Sequence, residues 1–351
     1  MDTVNFNQPV SKPSSFYSWR LLQIIVWCIG FVIFLSLFLF PSVGIDLFWN
    51  LLIPVAPLLF VLAVGVWRNV CPMAITTLLP RQFNWSQKRK LTTRQIGNFQ
   101  LTGVILLYLL VMLRHTIFNL NGPATGLLIG VMILLGFLLN FIFDWKSAWC
   151  SGLCPIFPVE KMYGYHTVAS PINAHCDLCV KCVKPCPDTT ANFHPTVTKK
   201  WTAQNLSNLL IVGGLPGFIW GWFQVADRSL VPGWIEILED LKFPLMGLLV
   251  SLTLYGLLRW ILKESKHPLM NKVYAAAAVS FYYWFRIPAL VGYGRFGQDG
   301  QLIDLSALLP KWIVFSIVVV ISLLLSTLTK QLASTKIPGA TNSQVIQFAT
   351  S

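Results

Sequence analysis

A chain of 351 residues that is 55% apolar, 13% aromatic and only 11% charged, with a mean hydropathy of +0.64, leaves no large soluble domain and describes a polytopic membrane protein. The formal charge of +13 does not imply nucleic acid, because the basic residues sit in short loops beside apolar stretches and form no patch on a recognition fold. Six of the eight cysteines crowd into residues 144–187, which favours reduced, metal-bound thiols over a disulfide framework.

Residues 1–20 are polar and contain proline, and are expected to be a disordered tail. Two apolar stretches, 21–40 and 47–66, are long enough to cross a bilayer and form a hairpin around Pro41 and Gly44; the first is a retained span, since no small-residue cleavage site follows it. The next loop carries Arg68, Arg81, Lys88, Arg89, Lys90 and Arg94 without any acid, which places it in the cytoplasm. A second hairpin, 101–120 and 126–143, turns at Asn121-Gly122-Pro123 and makes 21–143 a pair of hairpins.

The segment 144–202 is then cytoplasmic. Beyond it, 203–330 holds four more spans: 206–225, which keeps Gly213, Gly214 and Pro216, then 243–262, 273–291 and 312–328. Between the first two of these, 227–242 has four acids and two bases among apolar residues and predicts a short helix lying at the outer interface. The tail 331–351 is polar and again expected to be disordered. The expected architecture is an all-α polytopic membrane protein with about eight transmembrane helices, both termini in the cytoplasm, in a bacterial cytoplasmic membrane. About 20 of the 26 Lys and Arg fall on the inner side in this topology, and the acids split evenly.

The chemistry lies in Cys176, Cys179, Cys182 and Cys186, spaced C-x2-C-x2-C-x3-C-P, the spacing of a bacterial ferredoxin run. Cys176, Cys179 and Cys182 are expected to hold three irons of a 4Fe-4S cluster in a small ferredoxin-like insert on the cytoplasmic side. The fourth ligand is Cys154, Cys71 or Cys186, and spacing alone does not choose. One cluster is favoured over two, because a second built from Cys71, Cys150, Cys154 and Cys186 leaves the first needing a ligand such as His166 or His175. Structural zinc is the bland alternative, but its cysteines usually come as two separated pairs. An internal echo supports a shared role for the other cysteines: Trp67-Arg68-Asn69-Val70-Cys71-Pro72 follows the first hairpin as Cys150-Ser151-Gly152-Leu153-Cys154-Pro155 follows the second. Cys28, inside the first span, is read as a packed apolar thiol.

These residues give the chain a resemblance to the membrane-bound polyferredoxins of the NapH/NosR type, the quinol dehydrogenase subunits of nitrate and nitrous oxide respiration and the related cytochrome oxidase assembly protein. It covers roughly 47–187 and rests on the paired hairpins, Trp149-Cys150, Cys150-x3-Cys154-Pro155 and the run at Cys176 to Pro187. The resemblance implies electron transfer between the quinone pool and a partner redox protein. The alternative is an accessory or redox-sensing iron-sulfur protein without sustained quinol turnover. The chain departs from the family in having one full run, one complete C-x3-C-P and the remnant at Cys71, where the family has two of each.

Arg114, His115 and Arg286 are ionisable residues within spans. They are expected either to contact a quinone or to snorkel to the outer interface. Gly292 to Gly297 spells G-x-G-x-x-G but follows a membrane helix and no strand, so it reads as an exit loop.

Overall fold

The computed structural model describes residues 15–89, 91–143, 148–163, 202–230 and 232–332. Cys176, Cys179, Cys182 and Cys186 lie outside them, as do His166, His175 and most of both tails. Among the described residues every regular element is a helix.

The first hairpin pairs α1 (Ser15–Leu39) with a broken second arm. That arm starts at α2 (Pro41–Ile45), where proline's locked φ and missing N–H suit a first helical turn. A π-helical stretch, Asp46–Leu52, leads into α3 (Ile53–Val70), which bends where Ala63 leaves the helical region. Short helices α4 (Pro72–Thr77) and α5 (Leu79–Gln82) follow. In the second hairpin, α6 (Thr93–Leu113) begins well before its apolar stretch. A capping box sets its start: Gln95 N–H donates to Thr92 Oγ1 at 3.3 Å, and Thr92 N–H donates to Gln95 Oε1 at 2.9 Å. It ends in a second π stretch, Arg114–Phe118. The return helix α7 (Gly122–Ile142) is capped by Asn121, whose side chain accepts from Ala124 N–H at 2.9 Å.

After a third π stretch, Trp149–Leu153, comes α8 (Phe157–Tyr163). The segment holding Gly213, Gly214 and Pro216 is helical throughout: α9 (Ala203–Leu209), a π stretch Leu210–Gly214, and α10 (Leu215–Trp222). The wider π turn accommodates the residues that a regular helix would resist.

One expectation is corrected. The interfacial helix at 227–242 and the span at 243–262 are one continuous helix, α11 (Trp234–Ile261), running through Pro244. Its 28 residues reach ~42 Å, longer than a ~30 Å hydrocarbon core, so the acidic first turns extend past the apolar part. The fold closes with α12 (His267–Leu290) and α13 (Lys311–Leu332).

Five helical stretches are long and apolar enough to cross a membrane: Tyr17–Leu39, Pro41–Thr77, Arg94–Phe118, Gly122–Ile142 and Trp234–Ile261. The apolar part of α13, Lys311–Thr327, is shorter. Packing follows the logic of a lipid solvent. Large apolar side chains point outward along α1, α11 and α13, as with Ile24, Val250 and Leu323. Polar ones such as Gln23, Asn69, Thr125 and Asn140 are turned inward. With no hydrophobic drive between helices in lipid, close approach of small residues holds them together. At the α10–α11 crossing, a Cβ on Gly217 would overlap the Gly247 carbonyl, and Ser251 Oγ–H donates to Gly213 O at 2.6 Å. Gly217→Ala is expected to cost about 1–3 kcal/mol through overpacking, read as a lower midpoint of thermal unfolding in detergent; an unchanged midpoint would show that the crossing yields.

Candidate functional site

Two groups of chemistry-bearing residues occupy opposite ends of the helices. At one end, the two Cys-Pro turns adopt the same backbone. Cys71 ends α3 with φ −55° and ψ 115°, and Cys154 ends the Trp149–Leu153 stretch with φ −58° and ψ 120°. The residue before a proline is driven into this extended region, so each Cys-Pro stops one helix and lets the next begin. The copies differ in one turn: Cys71 N–H bonds to Trp67 O at 3.0 Å, four residues back, whereas Cys154 N–H reaches Trp149 O at 2.9 Å, five back. The extra residue makes the second copy π-helical.

The turns are tied together. Arg68, beside Cys71, pairs with Glu160 on α8. Gly103 lets α6 approach the second turn: a Cβ there would stand 2.9 Å from Leu153 O and 3.3 Å from Cys154 O. Burial pushes the Cys154 thiol up to about 12, and the nearby Cys71 pushes in the same direction. The two thiols lie close enough to interact, and Cys154 stays protonated unless a bound cation draws off its proton. Among the described residues no three His, Cys, Asp or Glu side chains come together as a metal site. Cys150 lies one turn before Cys154 in the same π stretch. Cys28, read as a packed apolar thiol, lies exposed on α1 and is not packed against another helix.

At the other end, Arg114, His115 and Arg286 come together. They are 4%, 5% and 3% exposed, so snorkelling to the interface does not describe them. The π stretch after α6 turns Arg114 and His115 inward, and the one before α3 does the same for Trp49 and Asn50. Asn50 is the hub. Its Nδ2 donates to Asp46 at 2.8 Å, which aims its Oδ1 at both arginines. Arg114 Nη2 donates to that oxygen at 3.1 Å and Arg286 Nη2 at 2.6 Å. Arg286 Nη2 also reaches Trp49 O at 3.0 Å. The Arg114 guanidinium lies over Trp49 and Trp222, 5.5 Å and 5.1 Å from their ring centres. Two guanidinium charges that share one neutral acceptor repel each other.

Partial relief comes from Asp227, in the loop after α10. It pairs with His115 Nδ1 and accepts from Asn119 Nδ2 at 2.8 Å. Burial opposes its ionisation, but the His115 hydrogen bond and the charges of Arg114, His115 and Arg286 outweigh it and hold the carboxyl below the usual range. His115 Nε2 faces Trp222 O at 3.2 Å, so both ring nitrogens meet oxygen atoms. Asp299 accepts Asp227 N–H at 2.7 Å; burial raises its carboxyl.

Between these groups lies a cavity of about 50 Å3, closed on one side by the loop after α12. That loop includes the glycine-rich stretch read as an exit segment. Gly292, Gly297 and Gly300 take φ of 92°, 70° and 69°, and Arg295, Phe296 and Gly300 line the cavity. Sequence reasoning named all three buried cations but missed Asn50, Asp227 and this loop. An asparagine in an apolar span was the available signal for the first. No family model, curated protein or solved structure matches the chain.

Proposed function

We propose that the protein is a membrane-bound 4Fe-4S electron-transfer protein exchanging electrons between the quinone pool and a partner redox protein. The observation that carries this is the run Cys176, Cys179, Cys182, Cys186-Pro187 following a hairpin that ends in Cys154-Pro155. The matching Cys71-Pro72 and Cys154-Pro155 turns, tied together through Arg68 and Glu160, support it, since either thiol could serve as the fourth ligand if Cys186 does not close the run. When bound, the cluster supplies one-electron exchange; the chain holds it, shields it from water and sets its potential through burial and hydrogen bonds to sulfur. Eight spans with both termini in the cytoplasm of a bacterial cell, and the insert on the inner face, complete the reading. Quinone exchange belongs near Trp67, Cys71 and Trp149, on the side of the cysteines. The pocket at Arg114 and Arg286 lies ~30 Å away along α3, too far for a single electron step.

Anaerobic mixing of the oxidised protein with a soluble quinol tests the proposal: cluster absorbance bleaches in proportion to quinol oxidised. A cluster that reduces with dithionite but not with quinol would favour the accessory or sensing role.

A further inference from the structure

We propose that the pocket between Arg114 and Arg286 binds an oxyanion, a phosphate or carboxylate group carried by a lipid headgroup or a small solute. The guanidinium is charged at every accessible pH, and both are more than nine-tenths buried. Among the described residues, the one hydrogen-bond acceptor they share, Asn50 Oδ1, is neutral, and the nearby Asp227 carboxylate is hydrogen-bonded to His115 and Asn119 instead. Among the described residues, Nε of Arg114 and Nε of Arg286 are both buried without a hydrogen-bond partner, and a buried charged donor in that state is costly unless a ligand completes it.

The local carboxylates are already engaged. Asp227 takes His115 and Asn119, and Asp299 takes the Asp227 N–H. Arg295, at the cavity wall, adds a further positive charge. Gly300 completes the shape: a Cβ there would collide with Arg286 Nη1, so the loop closes against the guanidinium only because the residue is glycine. A neutral quinone carbonyl could accept one of these hydrogen bonds but would leave two like charges side by side, whereas an oxyanion satisfies the donors and the charge together. The site lies at the far end of α3 from Cys71. It does not rest on the electron-transfer reading, and either can fail without the other.

The test uses the full chain in detergent, depleted of lipid. Sodium phosphate is titrated against sodium chloride of equal ionic strength while thermal unfolding is followed. In a second arm, the protein is exchanged into phosphatidylcholine discs with and without phosphatidylglycerol, and retained lipid is identified by native mass spectrometry. Each arm is repeated with Arg286→Gln and with Arg295→Gln, whose side chain is exposed. A rise in unfolding midpoint of roughly 3–8 °C at a hundredfold excess of phosphate over its Kd, lost in Arg286→Gln and weakened severalfold in affinity in Arg295→Gln, identifies a free oxyanion. No phosphate effect, with phosphatidylglycerol retained by the wild type and lost from the variants, identifies a headgroup. The proposal is overturned if neither anion binds or if binding survives both substitutions.

Discussion

Replacing Asp227 by Asn is expected to destabilise the folded protein by about 3–5 kcal/mol, the cost of removing one partner from a buried ion pair. Asp227 is the acid that His115, Asn119 and the two arginines share, and amidation would remove the carboxylate bonded to His115 and Asn119, leaving Asp299 as the remaining acid of the pocket. The pH dependence has a definite sign. Because the folded carboxyl titrates below its ordinary range, its contribution is fully present above that range and is lost as pH falls through the lowered folded value. The wild type should therefore lose this contribution on acidification, while Asp227→Asn shows no corresponding loss. Unfolding midpoints measured at neutral and acid pH in detergent check both points. A variant within about 0.5 kcal/mol of wild type would mean that water already screens the pair. The double variant with His115→Gln should cost less than the sum of the single changes, since each removes the same interaction.

Cys179→Ser is expected to lower bound iron on the order of tenfold or more, because a serine hydroxyl does not replace a thiolate in the middle of the ferredoxin run. Cys28→Ser is the control: its thiol is exposed on α1, and iron should be unchanged. Cys71→Ser and Cys154→Ser, assayed singly, decide the remote ligand. The residue that serves loses iron as Cys179→Ser does, and its neighbour keeps it. If both keep their iron, Cys186 closes the run. Loss of iron in the Cys28 variant as severe as in Cys179→Ser would refute the assignment of the run.

The helices were legible because the signals for them are local. Apolar length found the five long spans, and Asn121-Gly122-Pro123 marked a turn that the structure keeps. Boundaries were less legible where capping outruns hydropathy, as with Thr92 and Gln95 ahead of α6. The break expected near Lys242 failed for a related reason. The acidic residues after Gly233 mark a change of environment, from water to lipid, along a helix that continues through Pro244. At the pocket, cost identified the cations: Arg114, His115 and Arg286 stood out because charge within a span needs compensation. The compensating groups were hidden. Asn50 and Asp227 are distant in sequence, and only the π turns at Asp46–Leu52 and Arg114–Phe118 rotate the facing side chains into one volume. The Cys-Pro echo was legible as a repeat, but the proximity of Cys71 to Cys154 depends on α3, α6 and α8 packing together, which no local pattern encodes.

The most direct measurement is iron and acid-labile sulfide in anaerobically purified protein, taken beside the EPR spectrum of the reduced state. About four irons and four sulfides per chain with a single uncoupled signal is the expected result for one 4Fe-4S cluster. A colourless protein without iron, or with zinc in its place, would contradict the electron-transfer account.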